Sequence, residues 1–88
     1  FEPPDEDRFP LLAMARMAAT IGGTHPATLC GADDAATHWF INGGGTFGAM
    51  TDAIQEVMDK TSSTPVADIE TVVEAHQQGF DYATRLLD

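Results

Sequence analysis

Positive charge is scarce in this sequence. Four Lys and Arg stand against fourteen Asp and Glu in 88 residues, a formal net charge of −10. So few cations cannot neutralise several phosphates at once, which argues against a nucleic-acid binder. An anionic membrane surface is disfavoured on the same ground. Cysteine is rarer still: Cys30 stands alone, so there is no intramolecular disulfide framework. No apolar run approaches the roughly 20 residues that a spanning helix needs, so no membrane insertion is expected. A Cys-x-x-Cys-His motif is missing, which removes covalent haem attachment of the usual kind. The first residue is Phe rather than Met, and a lean toward an exported, processed chain rests on that alone.

What is present points to one small helical domain over residues 1–88. A hydrophobic fraction of 43% with 20% charged residues is ordinary for a folded chain and too apolar for disorder. Residues 1–9 read as an extended acidic arm, because Pro3-Pro4 resists helix and Asp5, Glu6 and Asp7 are solvated charges. Residues 10–88 read as a bundle. Pro10 suits a first helical turn, and Leu11, Leu12, Met14, Met17, Ala18 and Ile21 follow before Gly22-Gly23 stops the helix. With Arg16 as its only interior charge, this helix is expected at the centre of the core.

Residues 24–34 read as a loop, with His25-Pro26 an extended step and Asp33 or Asp34 capping a short second helix that ends at Asn42-Gly43. A β-hairpin with Trp39-Phe40-Ile41 as one arm is the competing reading. A third helix is expected from near Thr46 to about Lys60, with Phe47, Met50, Ile54, Val57 and Met58 inward. Thr64-Pro65 signals the start of the last helix, whose predicted buried stripe is Ile69, Val72, Val73, His76, Phe80, Ala83 and Leu87. Gly79 beside that stripe predicts close packing. The fold class is therefore all-α: a compact antiparallel bundle of three to four helices with a glycine-rich interhelical corner.

That corner is the densest feature. Residues 37–48 hold the only Trp, two of five Phe, one of three His and four of eight Gly. Gly43, Gly45 and Gly48 spell G-x-G-x-x-G, yet a dinucleotide loop follows a strand within a parallel sheet, and no βαβ unit is visible. His38, Trp39, Phe40 and Phe47 are instead the candidate partner-binding residues. For metal, His25-x4-Cys30-x7-His38 matches no known zinc spacing, although Asp33, Asp34 and His76 are further candidate ligands. A haem or other transition-metal site would draw on His38, His76 or Tyr82 in a cleft lined by Met and aromatic side chains. Neither a nucleophile with its base nor a paired acid and base marks an active site.

The residues on their own thus read as a non-enzymatic interaction protein or small accessory subunit. It would act through self-association, as a homo-oligomer or within a larger complex, or by meeting a basic partner. A cofactor- or metal-binding bundle is the alternative. Halophilic habitat is a third source for the acidity.

Overall fold

The computed structural model describes residues 10–88, so the predicted arm lies outside the described residues. Four helices follow one another: α1 (Pro10–Ile21), α2 (His25–Ile41), α3 (Phe47–Lys60) and α4 (Ile69–Leu87). No strand occurs among the described residues, which removes the hairpin reading of Trp39-Phe40-Ile41. The helices form a flat body of 36 × 35 × 19 Å, about two helix diameters thick.

α1 ends as its sequence predicts. Gly22 and Gly23 take φ of 72° and 58°, and the Gly22 N–H donates to the Ala18 carbonyl at 2.9 Å. Its place in the fold differs from expectation. It packs on α2 and α3 only, burying Met14 and Ala18, while Met17 and Ile21 stay exposed. A helix apolar all round need not be central when the bundle offers it one face only.

The predicted loop over residues 24–34 is helical. Pro26 sits in the first turn of α2, where a missing N–H forfeits no helical hydrogen bond, so it starts the helix rather than breaking it. Asp33 and Asp34 therefore lie mid-helix and cap nothing. The buried face of α2 consists largely of small residues: Gly31, Ala32, Ala35 and Ala36. It meets the equally small row Ala75, Gly79 and Ala83 of α4. The two helices run in the same direction, since Thr24 and Thr28 lie beside Thr71 and Ala75, and Trp39 lies beside Leu87. A Cβ added at Gly79 would overlap the Thr28 carbonyl, and one at Gly31 the His76 carbonyl. The close packing expected at Gly79 is present.

α3 forms where predicted, capped by Thr46, whose Oγ1 accepts from the Ala49 N–H at 3.0 Å. Met50, Ile54, Val57 and Met58 are buried, and Ile54 and Val57 anchor a core completed by Met14, Ala18, Ala32, Ala36 and Ala83. Phe47, predicted inward, is exposed. α4 starts later than its sequence signal. The Thr24 N–H donates to the Thr64 carbonyl at 2.9 Å, and the Thr64 N–H donates to Thr24 Oγ1 at 3.0 Å. This tertiary pairing holds Thr64 outside the helix and passes the cap to Asp68. The predicted inward stripe is corrected with it: Ile69 and Val73 are exposed, while Val72, His76, Phe80 and Leu87 are half-buried.

Two expectations follow. Gly79→Ala gains helix propensity but places a methyl group against backbone that cannot yield, so denaturant unfolding should show a net loss of about 1–3 kcal/mol. Hydrogen bonds from the Thr71 backbone N–H and then its hydroxyl hold the Asp68 carboxyl below the ordinary carboxylate range. A folded-state value lowered in this way adds stability above the ordinary range and loses it as pH falls through the lowered value. Asp68→Ala should therefore lower the melting temperature at neutral pH, with the gap to the parent narrowing in acid.

Candidate functional site

The corner between α2 and α3 is built by local backbone bonding around Trp39. Asn42 ends α2: its N–H and its Nδ2 both donate to the His38 carbonyl, at 3.1 and 2.7 Å. Gly43 turns the chain with φ of 81°, and the Gly44 N–H donates back to the Trp39 carbonyl at 2.9 Å. The Trp39 indole then lies against the Gly44-Gly45 backbone. A Cβ at Gly44 would overlap the indole ring, and one at Gly45 would stand 2.6 Å from Cη2. The glycines leave room for this ring, not for a phosphate. No strand leads into them, so the G-x-G-x-x-G spacing is incidental.

Trp39 is half-buried on the edge of the core and separates two clefts. One, of about 370 Å³, is lined by Ala49, Asp52, Ala53, Glu56, Leu86 and Leu87 beside Trp39. The other, of about 230 Å³, runs between α2 and α4 past Ala35, His38, Phe80, Thr84 and Leu87. Outside the corner, Phe40 and Phe47 meet edge to face, with ring centroids 5.9 Å apart and planes at 79°. Phe40 is 38% exposed, Phe47 50% and Ile41 75%, and His38 is exposed beside them. Residues 35–51 include no Asp, Glu, Lys or Arg, so this apolar surface is uncharged in an otherwise acidic chain.

The four predicted contact residues thus share one corner, three of them exposed and Trp39 supporting them from within. The residues predicted for a cofactor are not assembled. His38 lines the cleft between α2 and α4, whereas Tyr82 lies in another with Arg85, whose guanidinium carbon is 5.7 Å from the phenol ring centroid. His76 Nε2 donates to Asp34 Oδ2 at 2.9 Å across the α2–α4 seam. His25 is buried at the start of α2 with its Nδ1 unpartnered, while Cys30 is exposed. Among the described residues no group of three or more His, Cys, Asp or Glu is placed to hold a metal ion. Met14, Met50 and Met58 are buried core. The sequence reading missed the exposure of Ile41 and the Asp34–His76 pair. The pair was beyond reach while Asp34 stood in a predicted loop.

A protein-family model described as DXP reductoisomerase C-terminal domain matches residues 1–81. The chain belongs to this family. It is 42% identical over 88 residues to the 1-deoxy-D-xylulose 5-phosphate reductoisomerase of Rhizobium etli (strain CIAT 652), covering 99% of this chain and 22% of the relative. The corresponding protein of Moorella thermoacetica is 39% identical over 75 residues, 85% of this chain and 20% of the relative. That of Stutzerimonas stutzeri is 37% identical over 87 residues, 99% and 22%. The chain thus spans about a fifth of the length of these curated relatives. No solved structure matches it.

These matches correct the functional reading of the residues. A non-enzymatic accessory or interaction protein is overturned, as is the small haem- or metal-binding bundle, because the family is a domain of an enzyme. The error lay in reading 88 residues as a whole protein and expecting a complete active site within them. The lean toward export falls too. A first residue other than Met says nothing in a stretch matching a fifth of its relatives, and those relatives are named for an enzyme acting on a sugar phosphate.

Replacing Gly44 with Ala should push the indole off its seat. Trp39 is the chain's only Trp. Its fluorescence should therefore shift to longer wavelength, with a stability loss of about 1–3 kcal/mol from overpacking.

Proposed function

We propose that this chain works as the C-terminal helical module of a 1-deoxy-D-xylulose 5-phosphate reductoisomerase. The single observation behind this reading is the 42% identity over 99% of the chain to a protein of that name. The reaction in that name needs a hydride donor. The one glycine-rich loop that resembles a dinucleotide site is filled by the Trp39 indole, so these residues do not fit such a donor. The donor's site is assigned to the part of the enzyme outside this stretch. A net charge of −10 also repels a sugar phosphate, so the groups that hold the substrate's phosphate come from that same part.

The contribution of this module is positional. Its aromatic corner, with Phe40 and Phe47 outward, His38 at the rim and Trp39 beneath, seats it within a homo-oligomeric enzyme assembly. The uncharged stretch over residues 35–51 supports this role, because apolar surface without charge loses little on desolvation.

A chimera tests the reading. The matching stretch of the Rhizobium etli reductoisomerase is exchanged for this chain, and turnover of 1-deoxy-D-xylulose 5-phosphate is measured. The expected kcat lies within about tenfold of the parent, a barrier change under about 1.4 kcal/mol. A folded chimera without turnover would overturn the assignment.

A further inference from the structure

α4 carries an acid and a base at the spacing that ordinarily pairs them. Asp81 and Arg85 stand four residues apart, which puts their Cβ atoms about 6 Å from each other on one face. Among the described residues, however, neither has an ion-pair partner. Each is held by a different neighbour. Gln77 Nε2 donates to Asp81 Oδ1 at 2.9 Å, and the Arg85 guanidinium lies over the Tyr82 ring, 5.7 Å from its centroid. Both residues line a cleft of about 310 Å³ together with Thr61, Gln78 and Tyr82. Among the described residues, the Thr61 hydroxyl, the Gln78 amide and the Tyr82 hydroxyl make no hydrogen bond either. One guanidinium, one carboxylate and three neutral hydrogen-bonding groups therefore meet at one place with capacity to spare.

The cleft is at the small end of ligand sites, so it suits a molecule of side-chain dimensions rather than a nucleotide. A guanidinium takes a carboxylate through parallel N–H bonds, and a carboxylate takes an ammonium. With the two protein charges one helical turn apart, a small molecule meets both only if its own opposite charges stand close together. Net charge narrows the class further. A chain of −10 repels an anion, and a simple cation finds Arg85 against it, whereas a zwitterion feels no net force from the field. We propose that this cleft binds a free polar α-amino acid. Its carboxylate lies on Arg85, its ammonium on Asp81, and its side chain reaches the Gln78 amide and the Thr61 hydroxyl.

The test uses the full-length polypeptide that carries this chain, with L-glutamine as the probe and saturation-transfer NMR as the readout. So small a ligand should bind with a dissociation constant on the order of a few millimolar. Arg85→Gln and Asp81→Asn should each weaken it at least about tenfold, since each removes one charge-assisted contact. Both side chains are exposed, so neither change should disturb folding. Asp59→Asn is the control: that carboxylate also accepts from a Gln four residues earlier, Gln55 Nε2 to Asp59 Oδ1 at 2.8 Å, but lies outside the cleft. It should leave binding unchanged. Two analogues separate the charges: glutaramate lacks the ammonium and 4-aminobutanamide the carboxylate, and each should bind at least about tenfold more weakly than glutamine. No saturation transfer from the parent protein, or equal binding by the parent and both cleft variants, overturns the site. Weakening by Asp59→Asn as large as by Asp81→Asn overturns it too, by assigning the effect to overall charge. Loss in only one cleft variant, or an analogue binding as tightly as glutamine, overturns the zwitterion and leaves a single-charge contact.

Discussion

Where α2 passes α4 the two backbones come so close that no side chain fits between them. Gly31 lies against the His76 carbonyl, Gly79 against the Thr28 carbonyl, and Ala32, Ala35, Ala75 and Ala83 complete the buried faces on either side. The rest of the domain depends on this seam. Because α2 and α4 are drawn together, Trp39 reaches the edge of the core beside Phe80 and Leu87, and α3 finds a groove for Ile54 and Val57. A small domain gains little from area alone, since a short chain leaves much of its surface in water. Close approach compensates through dispersion between many atoms at contact distance. The Asp34–His76 hydrogen bond clips the same seam at its solvent edge.

Small residues at the seam also explain which parts of the fold were legible from the sequence. The end of α1, the Asn42-Gly43 stop and the Thr46 cap of α3 are set by residues next to one another in the chain, and each stands where local chemistry puts it. The start of α4 is not local. Thr64-Pro65 has the right chemistry for a cap, but Thr24, forty residues earlier, claims its backbone. The start of α2 failed for a different reason: Pro26 stops a helix that precedes it and opens one that follows, and the residue alone cannot say which. The inward face of α4 was misread because hydrophobicity favours Ile69 and Val73, whereas the seam demands residues with little or no side chain. Gly31 and Gly79 were the available signal, as two glycines inside helical stretches of a short chain.

The corner shows the same division. That residues 37–48 form a special feature was legible, and their glycines do serve a close approach. What approaches is the chain's own indole. Trp39 turns inward while Phe40, Ile41 and Phe47 stay outward, a division that hydrophobicity, which all four share, does not decide. Function was the least legible level. A stretch that matches about a fifth of its relatives' length need not display a complete set of catalytic groups, and the relatives' names supply what its own residues do not.

Charge gives the last step. Of the fourteen acidic residues, eight lie in residues 52–88, four in the first seven residues and only Asp33 and Asp34 between. The stretch from Phe9 to Thr51 therefore carries Arg16 and those two Asp as its whole charge, and it includes α1, α2 and the aromatic corner. Burying an exposed charge in a contact costs far more than burying a methyl group. Charge thins out between Phe9 and Thr51, and the exposed Met17, Ile21, Ile41 and Phe47 lie within that stretch. The eight acids over residues 52–88 share that stretch with the exposed Ile69 and Val73, so charge and apolar surface are interleaved there rather than kept apart.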